Sequence, residues 1–376
     1  MNLEESLKRR VSSILDEVER RGFEAVVFMN EVIGLNPSNF VYASGPWGFG
    51  DEHNTLVFDI HGGSTLVVPH WGAKRMEESG RYGNVIAIKQ EKGHHLKATK
   101  RALEDYDPGK VCFDLSTLSA QLALRLSKEL DVKLDESVDI SDHIFEMRSI
   151  KDSYEIQEIR EAIGITEDAV MEMVEASKPG VHTGDLKKIL DAGMIERGAI
   201  EFSFWSNVGF GNGPRGPPRI VKHEDILLTD VGCRVPSGYC SDMGRTWPMN
   251  LTPTVKDWLD RIVLAHEESF ANIKAGTTGN EVLRKASEIN QEHGLEPLVR
   301  CGHQIGLDVH DYTMPHSPSF GPIETDDQPL KPGMTLTFEP QHEDSELGFR
   351  SHIEDIVLVT EGEPVRLNML PWDLTW

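Results

Sequence analysis

The sequence has little cysteine, no long apolar run and a shortage of basic residues, and each shortage excludes a class of protein. The four cysteines of this 376-residue chain include no Cys-x-x-Cys pair; they are Cys112, Cys233, Cys240 and Cys301. That usage argues against a disulfide framework and against a structural zinc site. No apolar run approaches the roughly 18 residues that a membrane-spanning helix needs.

Basic residues are outnumbered, because 38 lysines and arginines face 62 aspartates and glutamates, for a formal net charge of −24. A surface this acidic repels phosphate backbones and anionic membranes, which argues against nucleic acid and membranes as partners. The first segment, MNLEESLKRRVSSILDEVER, is a charged amphipathic helix without the apolar core of a signal peptide. We therefore expect a cytoplasmic protein.

The pattern of helices and strands changes near residue 146. Before it, amphipathic helices alternate with the apolar strands EAVVFMN, NTLVFDI, STLVVP, NVIAI, KVCFD and VKLD. After it, a long helix precedes short strands that are separated by glycine and proline, with one helix pair at about 254–276 and 279–293. We predict an α/β domain over residues 1–146 and an α+β domain over residues 147–376.

One glycine motif resembles a dinucleotide fingerprint but fails as one. GNGPRG, residues 211–216, fits Gly-x-Gly-x-x-Gly. That fingerprint needs a helix that begins at its glycines. The prolines at 214, 217 and 218 forbid a helix there, so the segment is predicted to be a loop without a nucleotide.

Four acidic residues lie at strand ends in the second part of the chain. Asp230 ends the strand ILLTD, and Asp242 follows twelve positions later, after the turn VPSG, so a hairpin would bring them together. Glu339 ends MTLTFE, and Glu354 begins EDIVLVT. An ionised carboxylate is costly to bury unless it is paired or bound to a cation. Four at one site would repel each other strongly unless two cations shared them.

Two histidines in CGHQIGLDVHDY, His303 and His310, lie between these strands. Taken singly, a strand-end acid is usually a solvated cap and such a histidine is usually a loop residue. Together they form a carboxylate-rich set with few imidazoles, which suits divalent ions such as Mn²⁺, Co²⁺ or Zn²⁺.

The second part of the chain resembles the pita-bread metallopeptidases, which include Xaa-Pro dipeptidase (prolidase), aminopeptidase P, methionine aminopeptidase and a metal-free relative, creatinase. The matching segments, in the family's order, are TDVGCRVPSGYCSDMGRTW, GHQIGLDVH, LKPGMTLTFEP and IEDIVLVT. Residues 1–146 resemble the creatinase/prolidase N-terminal domain. The resemblance implies a pita-bread catalytic domain after a creatinase-type α/β domain, and a homodimer.

The same resemblance implies two divalent metal ions and assigns their ligands. Asp230 would chelate one metal, and Asp242 would bridge both. His303 and Glu339 would bind the other metal, and Glu354 would bridge from the opposite side.

The implied reaction is hydrolysis of the C–N bond of a small peptide, most simply by an Xaa-Pro dipeptidase or aminopeptidase. Two cations lower the pKa of a shared water and polarise the carbonyl that it attacks. Glu339 would be the general base, and His310 would contact the substrate near the scissile bond.

The sequence departs from the family pattern near the substrate. The two aspartates are twelve rather than eleven positions apart, and GNGPRGPPRIVKHED lacks the usual Pro-His. His352 replaces an arginine that prolidases usually have, and it is predicted with Arg350 to contact the substrate. Arg215, in the stiff proline-rich loop, either binds the substrate's free carboxylate with Arg350 or points into solvent.

These departures leave two alternatives open. One is hydrolysis of a small non-peptide C–N substrate, as in creatinase or ectoine hydrolase. The other is a binding module that kept the fold and lost catalysis, which the complete ligand set argues against.

Overall fold

The computed structural model describes residues 1–30, 38–46, 53–89, 94–212, 216–311 and 328–374. The chain divides into two units, Met1–Arg148 and Ser149–Trp376. None of the described helices is both long enough and apolar enough to cross a membrane.

The first unit is a five-stranded mixed sheet with helices, as expected for an α/β domain. Its strands run in the order β4-β3-β2-β1-β5. The pairs β1/β5 and β3/β4 are parallel, and the other neighbours are antiparallel. The elements are α1 (Leu3–Arg20), β1 (Ala25–Asn30), α2 (Ser38–Ser44), β2 (Asn54–Asp59), β3 (Ser64–Pro69), α3 (His70–Ser79), β4 (Asn84–Ile88), α4 (His94–Ala102), β5 (Val111–Phe113), α5 (Ala120–Leu130) and α6 (Ser141–Ser149).

The core of this unit forms between β1 and α5. All six residues of β1 are buried, as the apolar run AVVFM requires. Ala25, Val27 and Met29 share one hydrophobic cluster with Leu122 and Leu126 of α5. Burying each of the larger side chains stabilises the folded state by about 1.5–3 kcal/mol.

The segment VKLD, residues 132–135, was predicted as a strand, and this prediction is wrong. The helix α5 ends at Leu130 and is capped by Asp131, which has a left-handed backbone with φ 55°. The N–H of Val132 donates to the Ser127 carbonyl, and its own carbonyl accepts from the Ser127 hydroxyl. Since the helix end uses both main-chain groups of Val132, that residue has none left for a strand ladder.

In its described residues the second unit combines four helices with small antiparallel sheets, as an α+β domain should. Among the described residues the sheets are β10-β8-β7, β11-β14-β15, β12-β13 and β6-β9. The elements are α7 (Ser153–Ala176), α8 (Thr183–Glu196), β6 (Glu201–Phe202), β7 (Asn207–Phe210), β8 (Ile226–Val231), β9 (Cys233–Arg234), β10 (Met243–Pro248), α9 (Pro253–Phe270), α10 (Gly279–Glu292), β11 (Thr335–Phe338), β12 (Gln341–Asp344), β13 (Phe349–His352), β14 (Asp355–Leu358) and β15 (Val365–Arg366).

The long helix α7 begins and packs as its sequence predicts. Asp152 and Glu155 form a reciprocal capping box, which satisfies main-chain N–H groups at the helix start. Ile159, Ile163 and Val170 are buried. Ile156, near the start of the helix, is half-buried.

A buried ion pair fixes β10 against β14. The Nη2 of Arg245 lies 2.6 Å from Oδ1 of Asp355, and neither side chain is exposed. The same guanidinium donates to the carbonyls of Glu354 and Leu370. Charge-assisted bonds of this kind are strong when every group is satisfied. The network therefore holds the backbone of Glu354, one of the predicted metal ligands, beside β10.

We expect Asp355→Ala to lower the free energy of unfolding by about 3–5 kcal/mol, because it leaves the buried Arg245 charge without its carboxylate. Urea titration of the full chain measures this loss. The control is Asp260→Ala, which removes an exposed pair with Lys256 and should cost about 1 kcal/mol or less. Equal losses in the two variants would contradict the role of the buried pair.

Candidate metal centre

The antiparallel pair β8/β10 brings Asp230 and Asp242 to the same end of one sheet. Asp230 lies opposite Gly244 in the register, and Asp242 directly precedes β10. Asp242 is buried, whereas the Asp230 side chain is 37% exposed. The strand-and-turn pattern of the sequence thus does place the two carboxylates near each other.

His303 and Glu339 reach the same place through the end of β11. The N–H of Thr337 donates to the His303 carbonyl (2.7 Å), and the Thr337 hydroxyl accepts from the His303 N–H (3.1 Å). These bonds align the loop with the strand. As a result, Nε2 of His303 lies 3.6 Å from Oε1 of Glu339 and 3.5 Å from Oδ2 of Asp242.

Glu354 completes the cluster from the turn between β13 and β14. Its N–H donates to the Gly244 carbonyl (3.1 Å), and its carbonyl accepts from the Gly244 N–H (3.3 Å). Two groups of three possible metal ligands result. Within each group the ligand atoms all lie within 4.8 Å of one another, and both groups include Glu354. The groups are Asp230 with His352 and Glu354, and Asp242 with His303 and Glu354.

Burial and mutual repulsion make this cluster unfavourable without a cation. Burial raises the pKa of Asp242 well above its usual value, and the nearby charge of Asp230 adds to this. Burial and the Glu354 charge raise the pKa of Glu339 to about 7. Burial and the Asp242 charge raise the pKa of Glu354 to about 8. Each carboxyl group is thus hard to ionise beside the others.

Two buried carboxylate oxygens of this cluster also have no hydrogen-bond partner among the described residues. They are Oδ1 of Asp242 and Oε1 of Glu354. A buried acceptor without a partner is destabilising. Divalent cations would satisfy these oxygens and remove the repulsion, so the residues present fit a metal centre.

His303 is oriented as a ligand. Its Nδ1 lies 2.9 Å from the Gln304 carbonyl, which can only accept a hydrogen bond. Nδ1 therefore donates this hydrogen bond, and Nε2 faces the carboxylates.

His352 is held by its carboxylate neighbours. Its Nε2 lies 3.1 Å from Oε2 of Glu354 and 3.9 Å from Oδ2 of Asp230. Burial opposes protonation of this imidazole, but the hydrogen bond and charge of Glu354 outweigh burial and raise its pKa to about 9. A proton on His352 thus offsets part of the negative charge of these carboxylates.

His310 lies beside the cluster at the rim of the site. Its ring centroid is 4.1 Å from that of His303. Burial and the charges of His303 and Arg300 lower the pKa of His310 to about 4, so it is neutral near pH 7. The next residue, Asp311, pairs with buried Lys151 at 3.0 Å, which anchors the end of this loop.

Two residues of the site had no signal in the sequence. Arg300 places Nη2 3.5 Å from Oε2 of Glu339 while its side chain stays 59% exposed. Gly244 lies between Asp230 and Glu354 and carries no side chain. Gly244 lies within the matching segment TDVGCRVPSGYCSDMGRTW, but its role was not predicted, because both contacts join residues far apart in the chain.

A cleft of about 200 Å³ opens beside the cluster. Asp230, His352, Arg350, Gln341 and Glu343 are among its lining residues. Arg350 also donates to the Phe210 carbonyl, at 2.9 Å. Arg215, the other predicted substrate contact, lies outside the described residues.

Fold and site together define a metal-dependent hydrolase with a carboxylate-rich centre. The description "Metallopeptidase family M24" matches residues 157–361, more than half of the chain, and "Creatinase/Prolidase N-terminal domain" matches residues 10–150. The chain therefore belongs to metallopeptidase family M24, and the pita-bread fold predicted from the sequence is confirmed.

Individual relatives agree with this assignment. An uncharacterized peptidase of Staphylococcus saprophyticus is 30% identical over 342 residues, which cover 87% of this chain and 91% of that protein. The X-Pro aminopeptidase structure from Thermotoga maritima is 25% identical with a TM-score of 0.80, covering 96% of this chain and 99% of that one. The prolidase structure from Thermococcus sibiricus is 26% identical with a TM-score of 0.79, covering 98% of both chains.

We expect Mn²⁺ or Co²⁺ to stabilise the metal-free protein, because the ions remove the repulsion among buried carboxylates. Binding to the folded state alone adds about 2.7 kcal/mol at a free-ion concentration 100 times Kd. Thermal unfolding with and without the ion measures the gain. Glu354→Gln, which alters the carboxylate shared by both groups, should lose most of it.

The matched control for this experiment is Asp225→Asn. Asp225 is also a buried carboxylate of the same sheet region, but Arg219 holds it through two hydrogen bonds. This variant should be less stable overall and yet keep the full metal-dependent gain. An equal gain in Glu354→Gln and the wild type would show that the ions bind elsewhere.

Proposed function

We propose that the protein is a dinuclear metal-dependent peptidase that cleaves the Xaa-Pro bond of short peptides, as a dipeptidase or an aminopeptidase. The observation that carries the proposal is the pair of possible ligand groups that share Glu354. A carboxylate common to two groups can be shared by two adjacent divalent ions. The names of the Thermotoga and Thermococcus relatives support the substrate class.

The ions would be held by five side chains; these are Asp230, Asp242, His303, Glu339 and Glu354. Mn²⁺, Co²⁺ and Zn²⁺ suit a set with this many carboxylates and few imidazoles. When bound, such ions supply Lewis acidity, which lowers the pKa of water and polarises a carbonyl oxygen.

Glu339 is proposed as the general base. One of its oxygens faces His303, and the other lies 3.5 Å from the Arg300 guanidinium. The arginine favours the ionised carboxylate, which is the form that accepts a proton from water. Glu339 would then return that proton to the nitrogen of the leaving group.

His310 is proposed to hydrogen-bond to the substrate near the scissile bond. The neutral imidazole has one N–H to donate, and the ring lies next to His303 at the edge of the site. A donor placed there would stabilise negative charge on the oxygen of the attacked carbonyl.

The cleft beside Asp230 is proposed to hold the rest of the peptide. Its volume suits a small substrate, and Arg350 on its wall supplies a guanidinium that can hold a carboxylate. Arg215 and His352 remain predicted contacts of the same substrate. The homodimer and the cytoplasmic location also remain predictions.

Turnover of a substrate panel by the metal-loaded enzyme tests this function. We expect hydrolysis of Xaa-Pro dipeptides to exceed that of Xaa-Leu dipeptides and of small cyclic or amidine substrates. Hydrolysis of the last class alone would favour the creatinase- or ectoine-hydrolase-like alternative. No turnover of any substrate, with metal bound, would favour a binding module.

Amidation of the dipeptide tests the carboxylate contact. We expect C-terminal amidation of the dipeptide to raise the KM of the wild type. The KM of Arg350→Ala should change little on amidation, because the variant has already lost the partner of the substrate carboxylate. Arg215→Ala, assayed in parallel, distinguishes the two arginines. Arg284→Ala, which removes an exposed arginine paired with Glu288, is the control. An Arg350→Ala enzyme as sensitive to amidation as the wild type would exclude that contact.

We expect His310→Ala to lower kcat by about 10²-fold or more, since it removes a donor to the transition state. Metal content, measured on the same sample by elemental analysis, should stay at the wild-type value because His310 belongs to neither ligand group. Wild-type turnover by a stable variant would assign His310 a structural role.

A further inference from the structure

His352 lies between two of the carboxylates assigned above to the metal ions. Its imidazole is 4% exposed, and Nε2 faces Glu354 and Asp230 at 3.1 and 3.9 Å. A divalent ion bound to those two carboxylates would lie within reach of the same nitrogen. The ring therefore has the position of a ligand more than that of a substrate contact.

The strand backbone fixes this position. The N–H of His352 donates to the Thr246 hydroxyl at 2.7 Å, and its carbonyl accepts from that hydroxyl at 3.1 Å. These bonds join β13 to β10 on the side of the cluster. These bonds hold the main chain of His352 beside the cluster, and from there its imidazole faces Glu354 and Asp230.

Gly244 leaves the space that the ring occupies. A Cβ at this position would lie 2.7 Å from Nε2 of His352 and closer still to Cδ2. Real carbon atoms do not approach so closely, so any other residue at 244 would move the ring. The glycine lies opposite Asp230 and pairs with Glu354, between the two carboxylates that the imidazole faces.

We propose that His352 is a metal ligand in this protein, on the ion held by Asp230 and Glu354, and that Gly244 makes its coordination possible. The inference rests on the proposed dinuclear centre. It gives each ion one imidazole, His352 for one and His303 for the other. Since imidazole favours Co²⁺ and Zn²⁺ over Mn²⁺, a second histidine shifts the preference of the centre toward these ions.

Calorimetric titration of the metal-free full chain with Co²⁺ and with Mn²⁺ tests the proposal. The wild type should bind two ions per chain. In His352→Ala, one of the two Co²⁺ sites should weaken by about 10- to 100-fold or more. Mn²⁺ affinity should fall less, because Mn²⁺ is held mainly by carboxylates. The ratio of the two losses separates lost coordination from general damage, which would weaken both ions alike.

The matched control is His342→Ala. His342 is a second buried histidine on the neighbouring strand β12, where its Nδ1 contacts the Asn290 side chain at 3.0 Å. It belongs to neither ligand group. The variant loses a buried imidazole from the same strand pair, and its affinities for Co²⁺ and Mn²⁺ should equal those of the wild type.

Gly244→Ala gives an independent arm. It should weaken the same Co²⁺ site, because the added methyl group displaces the His352 ring. In the His352→Ala background the same change should cost little, since no ring is left to displace. Such non-additivity is the mark of two residues that act through one contact.

The outcomes distinguish this inference from the function on which it rests. If the wild type binds fewer than two ions, the dinuclear centre itself is wrong. If the wild type binds two and His352→Ala loses Co²⁺ and Mn²⁺ affinity equally, or not at all, His352 is no ligand and the dinuclear centre stands. Should His352→Ala fail to fold, His352→Gln keeps a side chain of similar size and is judged by the same Co²⁺-to-Mn²⁺ ratio.

Discussion

The repulsion between buried carboxylates is the constraint on which the catalytic unit depends. Asp242 and Glu354 are both buried. Burial and the charges of Asp230 and Glu339 raise the pKa of Asp242, and burial and the charge of Asp242 raise the pKa of Glu354. Protein interiors hold such pairs only when a proton, a cationic side chain or a metal ion balances them. Two divalent ions would supply that balance, and hydrolytic chemistry uses the same ions.

The surrounding structure keeps the repelling groups in place. Behind Glu354, the buried pair of Arg245 and Asp355 ties β10 to β14, and Arg245 also donates to the Glu354 carbonyl. Thr337 does the same for the loop that carries His303. Satisfied ionic and hydrogen-bonded networks thus offset the cost of the unsatisfied cluster beside them. This division of roles is common at active sites, where local strain is held by a rigid framework.

Sequence patterns predicted the elements that have local signals. The long helix α7 was identified because its apolar residues recur at helical spacing, and Ile159 and Ile163 are buried. The short segment VKLD looked like a strand because its composition fits one, but the end of α5 took its main-chain hydrogen bonds. For the site, strand-end acids such as Asp230 and Glu339 could be named because position along a strand is a local property. The contacts of Gly244 with His352 and of Arg300 with Glu339 join distant segments, which no local pattern encodes.

The central claim is that two divalent ions lie between the carboxylates of β8, β10, β11 and the turn before β14. Anomalous diffraction from a crystal soaked in Mn²⁺ tests it most directly, because each ion gives its own peak. The account predicts two peaks a few ångströms apart, both in contact with Glu354. A single peak, or peaks away from Asp242 and Glu354, would contradict it.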